Sequence, residues 1–210
     1  VSYLVPGEAS FSNINHFTHP DLPEGIATAV AVDNNLAWIG TFDSGLFRYD
    51  IAGDKLTKVL YGPLEDNALH SEAITSLLAL PDTGLVVGTY GGGVSVVNSD
   101  GKVSRTVRSL AGSRISDIIY TLLMDHDGGI LVGNEQGIAK LSADLSTITD
   151  TDFSTFLIDA GTTTKNINPV ELQHGDDNEI WGGTFQYGLM KAQRDERLNV
   201  TGVNNVTRDL

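Results

Sequence analysis

The chain of 210 residues contains no cysteine. Disulfide frameworks, thiolate metal sites and cysteine nucleophiles are thereby excluded. Basic residues are scarce: 13 lysines and arginines stand against 27 acidic side chains, a formal charge of -14. Such a surface repels a phosphate backbone and offers no counterion release, which excludes nucleic acid as a partner and disfavours an anionic membrane surface. Long apolar runs are missing as well. The longest, such as IATAVAV at 26–32, fall far short of the roughly 18 residues that a spanning helix needs. No targeting signal is visible, and Val1 opens the chain in mid-pattern, so the sequence reads as a domain excised from a longer protein whose signal or anchors lie elsewhere.

Catalytic and metal signatures are equally thin. His16 and His19 are spaced by three and His70, His126 and His174 are isolated, which makes no zinc pattern. There is no GxSxG elbow, and the run Gly91, Gly92, Gly93 lacks the lysine and helix of a phosphate-cradling loop. The acidic turns DHDGG (125–129) and GDDN (175–178) have an oxygen-rich look that suits calcium, but they lack the twelve-residue spacing of a helix-loop-helix site, and hairpin chemistry already explains them. No metal or cofactor is therefore expected. Asn199 and Asn205 each open an Asn-Val-Thr triplet, an acceptor for glycans only in a eukaryotic source.

What is abundant is glycine, 23 residues of it, and its distribution is periodic. Four segments run strand, glycine, polar or aromatic corner, second glycine, strand: WIGTFDSGLFRYD (38–50), VVGTYGGGVSVVN (86–98), LVGNEQGIAKLS (131–142) and WGGTFQYGLMKAQ (181–193). Their first glycines, Gly40, Gly88, Gly133 and Gly183, are 48, 45 and 50 residues apart, the period of one four-stranded propeller blade per repeat. An apolar strand and an Asp- or Asn-rich turn precede each, as in GIATAVAV (25–32) with DNN (33–35). A more polar fourth strand follows each: KLTKVLY (55–61), KVSRTVRSL (102–110), DFSTFLI (152–158) and RLNVTGV (197–203). The fold class expected is all-β, a β-propeller of about four antiparallel four-stranded blades. Residues 1–18 supply outer strands of a preceding, incomplete blade, and the blades run 19–62, 63–110, 111–160 and 161–210. An open stack exposes apolar faces at both ends, so a larger ring, closure or self-association, including a homodimer, is expected to cover them.

Each glycine has a reading. At the first, the missing side chain leaves room for a neighbouring sheet or ring; at the second, Gly45, Gly93, Gly137 and Gly188, the corner demands positive φ. Between its glycines the third repeat is one residue shorter, so its corner must be built differently. Trp38 and Trp181 are expected to fill gaps between adjacent blades.

The strings WIGTFDSGLFRYD and WGGTFQYGLM resemble the two-component regulator propeller repeat, and the resemblance extends over about four repeats, with the third departing most. It implies a non-catalytic, ligand-sensing, extracytoplasmic region of a bacterial membrane signalling protein, located in the periplasm and tethered to the inner membrane, whose output is a histidine kinase or a diguanylate cyclase. Ligands of propellers gather at the corner between second and third strands. Candidate binding residues are accordingly Phe42, Asp43, Tyr90, Asn134, Glu135, Gln136, Phe185, Gln186 and Tyr187, for a small molecule, a glycan or a protein partner. Phe42, Tyr90 and Phe185 recur at one position, where rings stack on a sugar or simply fill space between blades. Glu135 replaces the ring in that series. Two other functions stay open: a carbohydrate-active enzyme, whose carboxylates would have to lie roughly 5–9 Å apart, and a WD-type interaction scaffold, against which the missing Trp-Asp dipeptide speaks.

Overall fold

The structure, a computed structural model, describes residues 1–4, 11–62, 64–80, 84–109, 115–142, 145–149, 168–185 and 188–206. Among these there is no α-helix, and hence none long and apolar enough to cross a membrane. A short antiparallel pair, β1 (Ser2–Leu4) with β2 (Phe11–Asn13), precedes four four-stranded sheets. The first sheet holds β3 (Ala27–Asp33), β4 (Leu36–Thr41), β5 (Leu46–Asp50) and β6 (Lys55–Lys58). The second holds β7 (Ile74–Leu80), β8 (Gly84–Thr89), β9 (Val94–Val97) and β10 (Val103–Val107). In the third lie β11 (Ile119–Met124), β12 (Ile130–Asn134), β13 (Gly137–Leu141) and β14 (Ile148–Thr149); in the fourth, β15 (Pro169–His174), β16 (Ile180–Thr184), β17 (Gly188–Arg194) and β18 (Val200–Asn205). Strands follow one another across every sheet in chain order, so each repeat is one meander. The last strand of the third sheet comes earlier than the sequence suggests: β14 pairs Ile148 with Leu141, and 152–158 lie outside the described residues.

The chain divides into two compact units, Val1–Val87 with Ser95–Thr106, and Gly88–Val94 with Val107–Leu210. In the first unit β4 is covered on both faces. Trp38 enters a core with Leu46, Leu69, Ile74, Leu85 and Val87, while Ala37 and Ile39 pack with Phe47, Tyr49, Ile14 and Leu22. Burying side chains of this size stabilises by about 1.5–3 kcal/mol each. In the second unit Leu131 and Ile138 of the third sheet share a core with Leu172, Ile180 and Ala192 of the fourth.

Contact between successive sheets centres on the first glycine of each repeat. A Cβ built on Gly40 would sit 2.5 Å from Ile74 Cγ2, one on Gly88 2.8 Å from Ile119 Cγ2, and one on Gly133 2.9 Å from Pro169 Cγ. Ile74, Ile119 and Pro169 open the first strands β7, β11 and β15, so each glycine is a socket for the leading residue of the following sheet. Gly183 is different. Its nearest neighbour is Val170 Cγ2 at 3.8 Å, within its own sheet. Trp181, on the same face, is partly buried, donates its indole N–H to Glu179 Oε2 at 3.0 Å and lies 5.6 Å beneath the Lys191 ammonium. Within the second unit no described sheet follows to cover it. In the first unit, Ile26 just before β3 and Val30 and Val32 on one face of it are exposed, whereas Ala31 on the opposite face packs on the core.

Substitutions at the glycines separate these environments. Gly40→Ala pushes a methyl into the buried Ile74 and is expected to cost about 1–3 kcal/mol; Gly183→Ala is expected to change stability by no more than about 0.5 kcal/mol. Urea unfolding of the two variants measures the difference.

Candidate functional site

The corners between second and third strands are built by one device used three times. Thr41 Oγ1 donates to the Gly45 carbonyl at 2.8 Å, Thr89 Oγ1 to Gly93 at 2.9 Å and Thr184 Oγ1 to Gly188 at 3.0 Å. The acceptor glycines have φ of +86, +75 and +70°, and Gly137 has +119°, values that a side chain would disfavour. In the shorter third corner Asn134 replaces the threonine: its Oδ1 accepts the Gln136 N–H at 2.8 Å, and its amide donates to the Val132 carbonyl at 3.3 Å. Asn134 is fully buried, and its role is to build the turn that displays Glu135 and Gln136.

Corners are also tied to first strands by main-chain bonds. Gly45 N–H reaches the Glu72 carbonyl at 3.0 Å, and Gly93 N–H the Asp117 carbonyl at 2.9 Å. Corner residues in turn reach back to their own first strands, Phe42 N–H to Ile26 O, Glu135 N–H to Ile118 O and Phe185 N–H to Asn168 O, each at 3.3 Å. The backbone is therefore held by these bonds and the threonine or Asn134 side chain, without help from the Phe42, Glu135 or Phe185 side chains.

In the first unit, Phe42 and Asp43 are exposed at such a corner; Asp43 lies over Gly25 and accepts the Ser44 hydroxyl at 3.0 Å. In the second unit a cluster forms. Tyr90 bridges Ile118 antiparallel, Glu135 is bonded to the same Ile118, and Tyr120 lies two residues further along. The Tyr120 ring meets Phe185 edge-on, centroids 5.3 Å apart and planes at 73°. Burial raises the Tyr120 phenol above its ordinary value, and the neighbouring Tyr90 and Glu135 add to the shift, so it stays protonated at neutral pH. Phe185 is 64% exposed and Tyr90 47%, which leaves both with ring surface facing solvent. Gln186 and Tyr187 lie outside the described residues.

Tyr120 is the member of this cluster that sequence reasoning missed. Pairing passes from Ile119↔Asn134 directly to Thr121↔Gly133, so Tyr120 is the extra residue of a bulge and is aimed off the alternation of its strand. Thr28 occupies the matching bulge of the first sheet and donates to the Ile74 carbonyl at 2.6 Å. A signal existed in the unequal spacing between strand and glycine, but it needs the register to be read.

Elsewhere the titratable groups serve structure. Asp125 accepts Arg194 Nη1 at 2.8 Å and Lys140 Nζ at 2.6 Å, and Asp127 accepts the same lysine at 2.6 Å, so the turn with a calcium look has its carboxylates engaged by cations of the chain. Asp125 and Arg194 side chains are each 1% exposed. His174 Nε2 donates to the Met124 carbonyl at 2.7 Å and its ring lies 4.2 Å from that of His126. In the first unit His19 stands between Thr18 Oγ1 and Asp54 Oδ1, 3.0 Å from each, an order that looks like a catalytic relay. The Thr18 hydroxyl, however, is tied to the Asn13 and Asn15 carbonyls at 2.9 and 3.1 Å. Among the described residues no group of three or more His, Asp and Glu is arranged to hold a metal.

No family model matches the chain, and no curated protein does. Solved structures do match. The extracellular domain of the hybrid two-component system BT4673 of B. thetaiotaomicron aligns with a TM-score of 0.59 and 19% identity over 80% of this chain and 23% of its own length. The corresponding domain of BT3049 from the same organism gives 0.52 and 22% identity over 84% and 28%. The β-propeller domain of Myceliophteria thermophila Cps50 (Swd1) gives 0.58 and 17% identity over 88% and 56%. The fold is a β-propeller. The chain spans about a quarter of the length of the two extracellular domains, which belong to the kind of system that the repeat motif resembled.

The buried ion pair sets the acid limit of the second unit. Burial raises the Asp125 carboxyl, but the hydrogen bonds from Lys140 and Arg194 outweigh it and hold it below its ordinary value. A depressed folded value means that the stabilisation is complete above the unfolded carboxyl range and is lost as pH falls below about 4. Arg194→Met strands a buried carboxylate with one partner fewer. A loss of about 3–5 kcal/mol at pH 7 is expected, together with a shallower decline in acid, followed by urea unfolding at stepped pH.

Proposed function

We propose that this chain is a non-catalytic, ligand-sensing propeller region of a bacterial membrane signalling protein of the two-component regulator kind. It acts in the periplasm, as the extracytoplasmic part of an inner-membrane protein. The observation that carries the reading is the cluster in the second unit, where Tyr120 meets Phe185 edge-on and Tyr90 and Glu135 lie near enough to act on its phenol. Two of these rings are left open to solvent on a frame that does not need them. The likeness to two extracellular domains of two-component systems supports the same assignment.

In the mechanism that follows, a ligand engages the exposed corner rings and is released unchanged. Signalling then requires that it bind one arrangement of the propeller and its membrane-tethered partner copy more tightly than another, because only differential affinity shifts such an equilibrium. Domain divisions at 19–62, 63–110, 111–160 and 161–210, each one blade, follow from this reading.

Titration with a panel of neutral and acidic oligosaccharides, amino acids and amines tests it. A probe that binds the wild-type chain is expected to lose at least about tenfold in affinity in Phe185→Ala. The unfolding free energy of the variant should fall by no more than about 1.5 kcal/mol, the most that its edge-on contact with Tyr120 contributes. Conversion of any oligosaccharide to product, abolished by Glu135→Gln or Asp43→Asn, would overturn the sensing role in favour of an enzyme.

A further inference from the structure

Resting on that reading of the same corner, the ring geometry says more about the ligand. A sugar is best received on one flat ring platform, but here Tyr120 and Phe185 meet edge-on, planes at 73° and centroids 5.3 Å apart, so no such platform is formed. Tyr90 and Glu135 are anchored beside them through Ile118, and Glu135 stands where the first, second and fourth corners carry a ring. Electronegative ring faces set at an angle, with a carboxylate in the series, favour a cation with a greasy shell. The charge of -14 raises the local concentration of any cation near the surface.

We propose that Tyr90, Tyr120, Glu135 and Phe185 form a binding site for an organic cation of the quaternary or methylated ammonium class. The rings contact the methylated head through their faces and edges, and Glu135 supplies the counter-charge. No bond is made or broken. A compact, strongly hydrated ammonium is disfavoured because the rings cannot replace its water, whereas a methylated head has little hydration to lose.

Calorimetric titration of the whole chain with choline and with its uncharged isostere 3,3-dimethylbutan-1-ol tests the proposal. Choline is expected to bind at least about tenfold more tightly than the alcohol, and more weakly as salt is raised. Glu135→Gln should weaken choline about fivefold and Phe185→Ala about tenfold or more, with both variants folded at the temperature of titration. Equal binding of choline and the alcohol, no choline binding at tens of millimolar, or choline binding unaffected by both substitutions overturns it. If choline fails but an oligosaccharide binds in a manner that depends on Phe185, the cation assignment falls and the sensing role stands. If no probe depends on Phe185, both fall.

Discussion

Everything in this structure depends on the approach of one sheet to the next at a residue with no side chain. Gly40, Gly88 and Gly133 receive the leading side chains of β7, β11 and β15 at distances that even one methyl group would violate. The cores gather around these contacts, with Ile74 belonging both to the Gly40 socket and to the cluster around Trp38. A four-stranded meander cannot hide both of its faces, so the spacing of sockets, rather than the strength of any single sheet, organises the chain. Beside Gly183, whose nearest described neighbour is Val170 of its own sheet, an indole is held by a carboxylate and an ammonium.

The sockets were legible in the sequence because backbone constraints leave periodic marks. A glycine that must admit a neighbour and a second that must take positive φ both recur at a nearly fixed interval, and all four second glycines have the conformation their position demanded. The shortened third corner was legible for the same reason, and Asn134 is the residue that resolves it. Other features left no such mark. Tyr120 lies on a bulge, and a bulge breaks the alternation on which the assignment of faces relied. Arg194 and Asp125 are 69 residues apart and meet only because the third and fourth sheets pack, so nothing local announces the pair. The contacts of Trp181 with Glu179 and Lys191 left no mark either, because its motif copies that of Trp38.

Polar contacts divide in the same way between frame and display. Threonine hydroxyls, the Asn134 amide and main-chain N–H groups of Gly45 and Gly93 close the corners and join them to first strands. At the opposite ends of the strands, in the second unit, the turn at Asp125 is fastened by Lys140 and Arg194. Buried pairs of this type contribute little net stability over apolar packing, yet removing one partner is costly, so they fix an arrangement more than they strengthen it. Between these two fastened ends, the strands have little freedom to slide.

That the corner is closed by glycines, a hydroxyl and main-chain bonds has an evolutionary consequence. The exposed side chains at the tip of the corner, beyond the threonine or Asn134 that closes it, contribute little to folding, so they can be exchanged at small thermodynamic cost while the loop keeps its shape. Phe, Tyr, Glu and Phe at the four homologous positions are what such latitude produces. A repeat of this kind is a reusable mount on which recognition can drift from one chemical class to another without the scaffold being redesigned.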